Sequence, residues 1–306
     1  MTEAEFRSYY GQPVLKPPNW HEPHMPVYLY LGGLSGASSV MAAMARMSGH
    51  DRLALAARIA AFAGAGVGSG FLISELGRPE RFLHMLRVLK FTSPMSVGSW
   101  TLAAHGGLTA ACLLSAVTGR LRLAGDAATV ASVVTGPIMA TYTGVLLADT
   151  AVPAWHGARR ELPFLFVGSA LASAGAVGML TTPRQEAAPA RTAATVGAVL
   201  ETAAGFVMER RLGIEGEPYR KGRAGLLMKA SRGLTLGGGL LATVAGRSRA
   251  LTALSGLAIT AGALCTRFGM LEAGRASALD PRYTVVPQRE RAGGLTVVPD
   301  PGSSQA

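Results

Sequence analysis

The chain has 306 residues, of which 49% are hydrophobic and only 15% charged. An average soluble domain carries about 25% charged residues, and the apolar runs here lack the two-sided pattern of a water-soluble helix. The net charge of +11 would point to nucleic acid in a soluble protein. In a chain of apolar runs it follows instead from Lys and Arg collecting in loops on one membrane face, so nucleic acid is not an expected partner.

Eight apolar segments follow in order, near residues 26–47, 53–74, 95–117, 127–148, 162–180, 192–208, 226–245 and 250–266. About 20 apolar residues cross a hydrocarbon core, and lipid cannot satisfy an open backbone, so such runs must be helical. The sixth contains Glu201, and the seventh begins among Lys229 and Arg232. The expected fold is an all-α integral membrane protein with eight transmembrane helices. No signal peptide is evident, because mixed charge rather than a basic segment precedes the first run. Glycine is frequent, as in "FAGAGVGSGF" (62–71) and "LGGGL" (236–240). Small residues let membrane helices approach closely.

The loop after the second segment reads "LGRPERFLHMLR" (76–87), and the loop after the sixth reads "EGEPYRKGRAGLLMK" (215–229). Both carry Gly-x-Pro-x-Arg ahead of a Leu/Met-rich stretch that ends in a base. This faint repeat suggests two four-helix halves. The expected division is an N-terminal segment (1–25), a first four-helix bundle (26–152), a second (153–272) and a flexible tail (273–306). With eight spans, 20 of the 29 Lys and Arg residues fall on the face that holds both termini. The positive-inside rule then makes that face cytoplasmic in the plasma membrane, although a docked polar partner would select the same bias.

Polar groups inside a span are costly and count as functional candidates. "WHEPHMPVY" (20–28) leads into the first helix with His21, His24 and Tyr28. The second helix ends at Glu75, with Arg78 just beyond. The third carries His105. The fourth carries Tyr142 and Asp149, seven residues apart and so on one face. The sixth carries Glu201. Estimated depths place Tyr142, His105 and Glu201 roughly 10–13 Å inward from the helix ends, where they could border one cavity with Glu75 and Asp149 at its rim. Each also has a structural reading. Tyr142 could bond a neighbouring backbone, His105 could bridge two helices, and Glu201 could pair with a base. Arg58 reads as a snorkelling residue.

A quinone suits such a cavity, since its ring wants hydrogen-bond donors and its tail an apolar slot. Haem does not fit, because only His105 lies well within a span and a b-type haem needs facing axial histidines. Two cysteines, Cys112 and Cys265, cannot hold an iron–sulfur cluster, which takes four thiolates. A secondary transporter is the competing reading, with the glycine runs as its helix interruptions. Proton translocation through Glu201 is a variant of it.

"PVYLYLGGLSGAS" (26–38), "ELGRPERFLHML" (75–86) with "SPMSVGSW" (93–100), and "YTGVLLADTAVPAW" (142–155) together resemble the NrfD / polysulfide reductase membrane-subunit family. The chain carries Glu75 where the family is expected to have aspartate. The resemblance implies eight helices in two four-helix bundles, no haem, and a menaquinone or ubiquinone site facing an iron–sulfur subunit. That subunit would serve a molybdopterin catalytic subunit. The resemblance puts His21 to Tyr28, Glu75 and Tyr142 on the quinone side; estimated depth adds His105, and the charged loop adds Arg78, as expected quinone-side residues. Asp149 and Glu201 are the expected proton path. Arg81, Arg87 and Lys90 are expected to meet the iron–sulfur subunit.

Overall fold

A computed structural model describes residues 14–294. Long helices dominate it: α1 His24–Met47, α2 Asp51–Glu75, α3 Pro94–Thr118, α4 Arg122–Ala148, then the short α5 Pro153–Gly157, followed by α6 Leu162–Thr181, α7 Ala188–Arg211, α8 Gly222–Val244, α9 Arg249–Leu279 and α10 Arg282–Gly294. No strand occurs among the described residues. Six helices, α1 to α4, α6 and α9, are long and apolar enough to cross a membrane. The protein is therefore a multi-pass membrane protein. The helices α7 and α8 have comparable length, 24 and 23 residues, but they carry Glu201, Glu209, Lys229 and Arg232, which lower their apolar character.

Sequence neighbours pack as antiparallel pairs: α1 with α2, α3 with α4, α6 with α7 and α8 with α9. Further contacts join α1 to α4, α7 to α8 and α6 to α9, and α6 also meets α1 and α4. Small residues set these distances. A Cβ added at Gly168, Gly175 or Gly197 would strike the facing backbone across the α6–α7 contact. Gly36 and Gly136 hold α1 and α4 in the same way, as expected where dispersion drives helix association in lipid. The glycine runs at 62–71 and 236–240 lie within continuous α2 and α8 and interrupt neither.

The two loops matched by the faint repeat behave alike. Pro79–Leu86 and Ile214–Tyr219 each wind into a short 3-10 stretch after the helix that precedes them. Near the second of these, α5 plugs the end of the molecule. Trp155 is fully buried and donates its indole N–H to the Met270 carbonyl at 2.8 Å, and Tyr219 donates to the Ala154 carbonyl at 3.1 Å.

The C-terminal boundary needs correction. The expected last span stops at 266 and a flexible tail begins at 273, yet α9 runs on to Leu279 and residues 282–294 are helical. The continuation is hard to read because it packs through small residues. Ala273, Gly274, Ser277 and Ala278 are all buried, and a Cβ at Gly274 would enter the Trp155 ring. Residues 1–13 and 295–306, including Arg7 and the end of the expected tail, lie outside the described residues.

Candidate functional site

Tyr142 and Asp149 project from one face of α4 into an open cleft of about 740 Å³. Its walls include Phe91, Pro94, Val97, Ile138 and Val145, and its mouth carries Asp149, His156, Arg159 and Arg160. Ligand clefts of roughly 300–1,000 Å³ with apolar walls and few polar groups accommodate small organic ligands. Gly98 on α3 sets the position of Tyr142. A Cβ there would collide with the Tyr142 ring, so the ring lies against bare α3 backbone. Tyr142 is 7% exposed, and its hydroxyl has no hydrogen-bond partner among the described residues, which leaves it available to a ligand oxygen.

Glu75 ends α2 and is organised differently. Its carboxylate accepts the His21 backbone N–H at 2.6 Å, the His21 ring Nδ1 lies 3.1 Å away, and the His24 ring Nδ1 lies 3.9 Å away. The segment before α1 is strapped in place on its other side too. Trp20 stacks on Trp155 with centroids 5.2 Å apart, Arg275 donates to the Trp20 carbonyl, and Arg223 pairs with Glu22 at 2.9 Å. Tyr28, one turn after His24, is buried beside Gly68. The structure thus brings His21, His24 and Glu75 together. They do not line the Tyr142 cleft, although Tyr28 and Tyr142 belong to one continuous core. Arg78 is exposed in the loop beyond Glu75 and makes no contact with it.

His105 does not share the cleft with Tyr142, contrary to the sequence expectation. It is fully buried. Its Nε2 lies 3.1 Å from the Ser35 hydroxyl on α1, and its Nδ1 lies 2.9 Å from the Thr135 hydroxyl on α4. Ser35 in turn donates to the Ala61 carbonyl of α2 at 2.6 Å. Both ring nitrogens are occupied, so His105 ties α3 to α1 and α4. Depth alone could not reveal this; which way the residue faces around α3 decided it.

Glu201 also stands apart from the cleft. The Thr266 hydroxyl of α9 lies 2.6 Å from its Oε1, and the Ser231 hydroxyl of α8 lies 2.5 Å from that of Thr266. The other oxygen, Oε2, is buried without a partner. A cavity of only about 20 Å³ adjoins it, lined among others by Thr235 and Arg232. Arg232 pairs with Glu209. Nearby is Arg267, which sequence reading placed in a loop. It is 1% exposed within α9, its guanidinium lies 3.8 Å over the Phe166 ring, and its Nε and Nη1 are buried without a hydrogen-bond partner. Apolar "FGML" after Arg267 was the signal that the span continues.

Arg81, Arg87 and Lys90 are exposed, and so are the apolar Leu83, Val88 and Phe91 beside them. Among the described residues, no group of three or more His, Cys, Asp or Glu residues could hold a metal ion.

No curated protein matches the chain. Residues 7–283 match the family profile NrfD_2, described as polysulfide reductase. A match over that much of the chain, on an all-helical fold with six apolar spans, makes it a member of the NrfD-type polysulfide reductase family.

Proposed function

We propose that the chain is the quinone-reactive membrane anchor of a molybdopterin-dependent oxidoreductase complex. It would exchange electrons between an iron–sulfur subunit and a menaquinone or ubiquinone pool. In this reading α7 and α8 also span, so eight helices cross in two groups of four. The pairing of α1 to α4 and of α6 to α9 supports that grouping. The observation that carries the functional reading is the Tyr142 cleft: apolar walls, one unpartnered hydroxyl inside and an acid at the mouth.

The residues fit a quinone headgroup. Quinone chemistry moves two electrons and two protons between a ring with two carbonyl oxygens and its diol. The Tyr142 hydroxyl would donate to a ring oxygen and gain strength as that oxygen becomes more negative. Asp149, exposed at the mouth, would exchange protons with bulk water. The apolar wall would exclude water from the ring and guide the tail. Glu75, with His21 and His24, forms a second acid–base cluster at the same end of the helices. We assign to it a proton-handling role beside the ring rather than direct ligation. Glu201 serves as a separate buried proton-exchanging group. The exposed Arg81, Arg87 and Lys90 would face the iron–sulfur subunit.

The buried, incompletely partnered Glu201 and Arg267 favour a second reading, proton translocation. A secondary transporter of the broken-helix type is less well supported, because the long helices run uninterrupted across their middles. The deciding experiment purifies the intact complex from its native membrane and compares quinone-linked with dye-linked turnover. Tyr142→Phe should lower the first by about 2- to 12-fold, the value of one hydrogen bond, and leave the second unchanged. Wild-type quinone turnover in both Tyr142→Phe and Asp149→Asn would remove the cleft from the mechanism. Purification without iron–sulfur or molybdenum subunits would remove the anchor role.

A further inference from the structure

At the opposite end of α1 to α4 from the Tyr142 cleft lies another opening, of about 420 Å³. The end of α1, the starts of α2 and α4 and the end of α3 surround it, with Arg46, Asp51, Arg58, Arg122 and Asp126 as its charged lining. All four helices are apolar enough to span, so the opening sits where spans end and lipid headgroups begin.

Its charges do not cancel. Asp51 is taken by Arg46 at 2.8 Å. Arg58 and Arg122 then face Asp126 alone, with no ion pair to any of these three among the described residues. Arg58 lies seven residues into α2, about 10 Å from its start. Its guanidinium offers five donors, yet its one polar contact is the Thr129 hydroxyl at 3.5 Å, and its Nε is buried with no partner. A charged group in an apolar span is costly unless an opposite charge or water meets it. The start of α4 adds donors, since it has no side-chain cap and its first amide groups are left open. Next to this polar cleft, Leu55, Ile59 and Phe62 follow at helical spacing along α2, and all three are exposed.

We propose that this cleft binds the phosphate of a membrane phospholipid, with its headgroup between Arg58 and Arg122 and an acyl chain along Leu55, Ile59 and Phe62. The chemistry recognised is a phosphate group carrying one negative charge. A phosphodiester supplies one negative charge, which matches the single excess positive charge, and guanidinium groups hold phosphate oxygens in a two-pronged fashion. Two neighbouring carboxylates disfavour the more highly charged inorganic phosphate. The apolar stripe has no use for a free ion but suits a lipid tail. This assignment is independent of the quinone reading.

The test uses the whole detergent-purified complex as wild type, Arg58→Gln/Arg122→Gln and Arg58→Lys. Phospholipid per protein is measured by mass spectrometry after a delipidating wash. Thermal melting is followed with added phosphatidylglycerol or added inorganic phosphate. The wild type should retain phospholipid and be stabilised by phosphatidylglycerol, not by phosphate at the same concentration. The double variant should bind phosphatidylglycerol about tenfold more weakly or worse, as expected for lost charge-assisted hydrogen bonds. Arg58→Lys should retain binding in part. If the double variant does not assemble, Arg122→Gln alone, at an exposed position, reads the same loss. A variant that keeps its lipid and its phosphatidylglycerol response would overturn the site. An equal response of the wild type to inorganic phosphate would overturn the lipid as its source.

Discussion

Gly98→Ala is the sharpest perturbation of the Tyr142 cleft, because it adds one methyl group whose three nearest neighbours are all atoms of the Tyr142 ring. The new Cβ would sit 2.8 Å from Cδ2 and 3.3 Å from Cζ of Tyr142, with Cε2 nearer still. Carbon atoms rest at about 3.5–4.0 Å, so the ring must retreat by about 1 Å. Overpacking of this kind costs about 1–3 kcal/mol. A displacement of that size at a reacting group can lower turnover by about 100-fold. The assay is quinone-linked turnover of the intact complex, with dye-linked turnover as the control for the molybdenum subunit. The same substitution is then made in a Tyr142→Ala background, where the ring is gone and the methyl has space. There Gly98→Ala should do little further harm, since a shared contact makes the two effects non-additive. If Gly98→Ala leaves quinone turnover unchanged, or if it harms the Tyr142→Ala background just as much, Tyr142 does not act through the position Gly98 gives it.

Arg267→Met should destabilise the protein by about 2 kcal/mol, because it removes the buried guanidinium from the face of the Phe166 ring. Thermal melting of Arg267→Met, Glu201→Leu and the double variant should show a double-variant loss smaller than the sum. Arg81→Glu/Arg87→Glu should weaken co-purification of the partner subunits while leaving the chain inserted in the membrane. Normal assembly of that variant would make these exposed charges a topology signal only.

The helices were legible because lipid imposes a simple demand: long runs without charge, closed backbone, loops rich in bases. Seven of the eight apolar segments coincide with helices whose ends differ by about five residues or fewer from the runs that announce them, the seventh overrunning α8 by one residue. The eighth was cut short because Arg267 looks like the first loop residue after "ALCT". A buried arginine over an aromatic ring leaves the same mark in a sequence as a loop arginine. Asp149 and Tyr142 were legible together because seven residues is two turns of helix. His105 misled because spacing along α3 gives depth, while the hydroxyls that saturate it belong to α1 and α4. The His21–Glu75 contact joins residues 54 apart. No periodicity connects them; only a quoted motif placed them at the same end.

The polar groups fall into sites with different physical capacity. The Tyr142 cleft is open and has room for a ring, so a molecule can enter and leave it. The space beside Glu201 holds about 20 Å³, enough for a water molecule but not for an organic ligand. Thr235 and Glu201 both line that space, and Thr235 Oγ1 and Glu201 Oε2 are buried without partners. The first site thus has room for an organic ring, and the second only for water. Arg267 stands where α9, α6 and α1 meet. From α9 it lies over Phe166 of α6, and its Nη2 is within 3.7 Å of where a Cβ on Gly33 of α1 would stand. A larger residue at Gly33 would meet Ala170 of α6 as well. The charge is thus enclosed by α1, α6 and α9, and its position depends on their packing rather than on the Tyr142 cleft. For that reason a substitution at Arg267 should register first in stability, and one at Tyr142 first in quinone turnover.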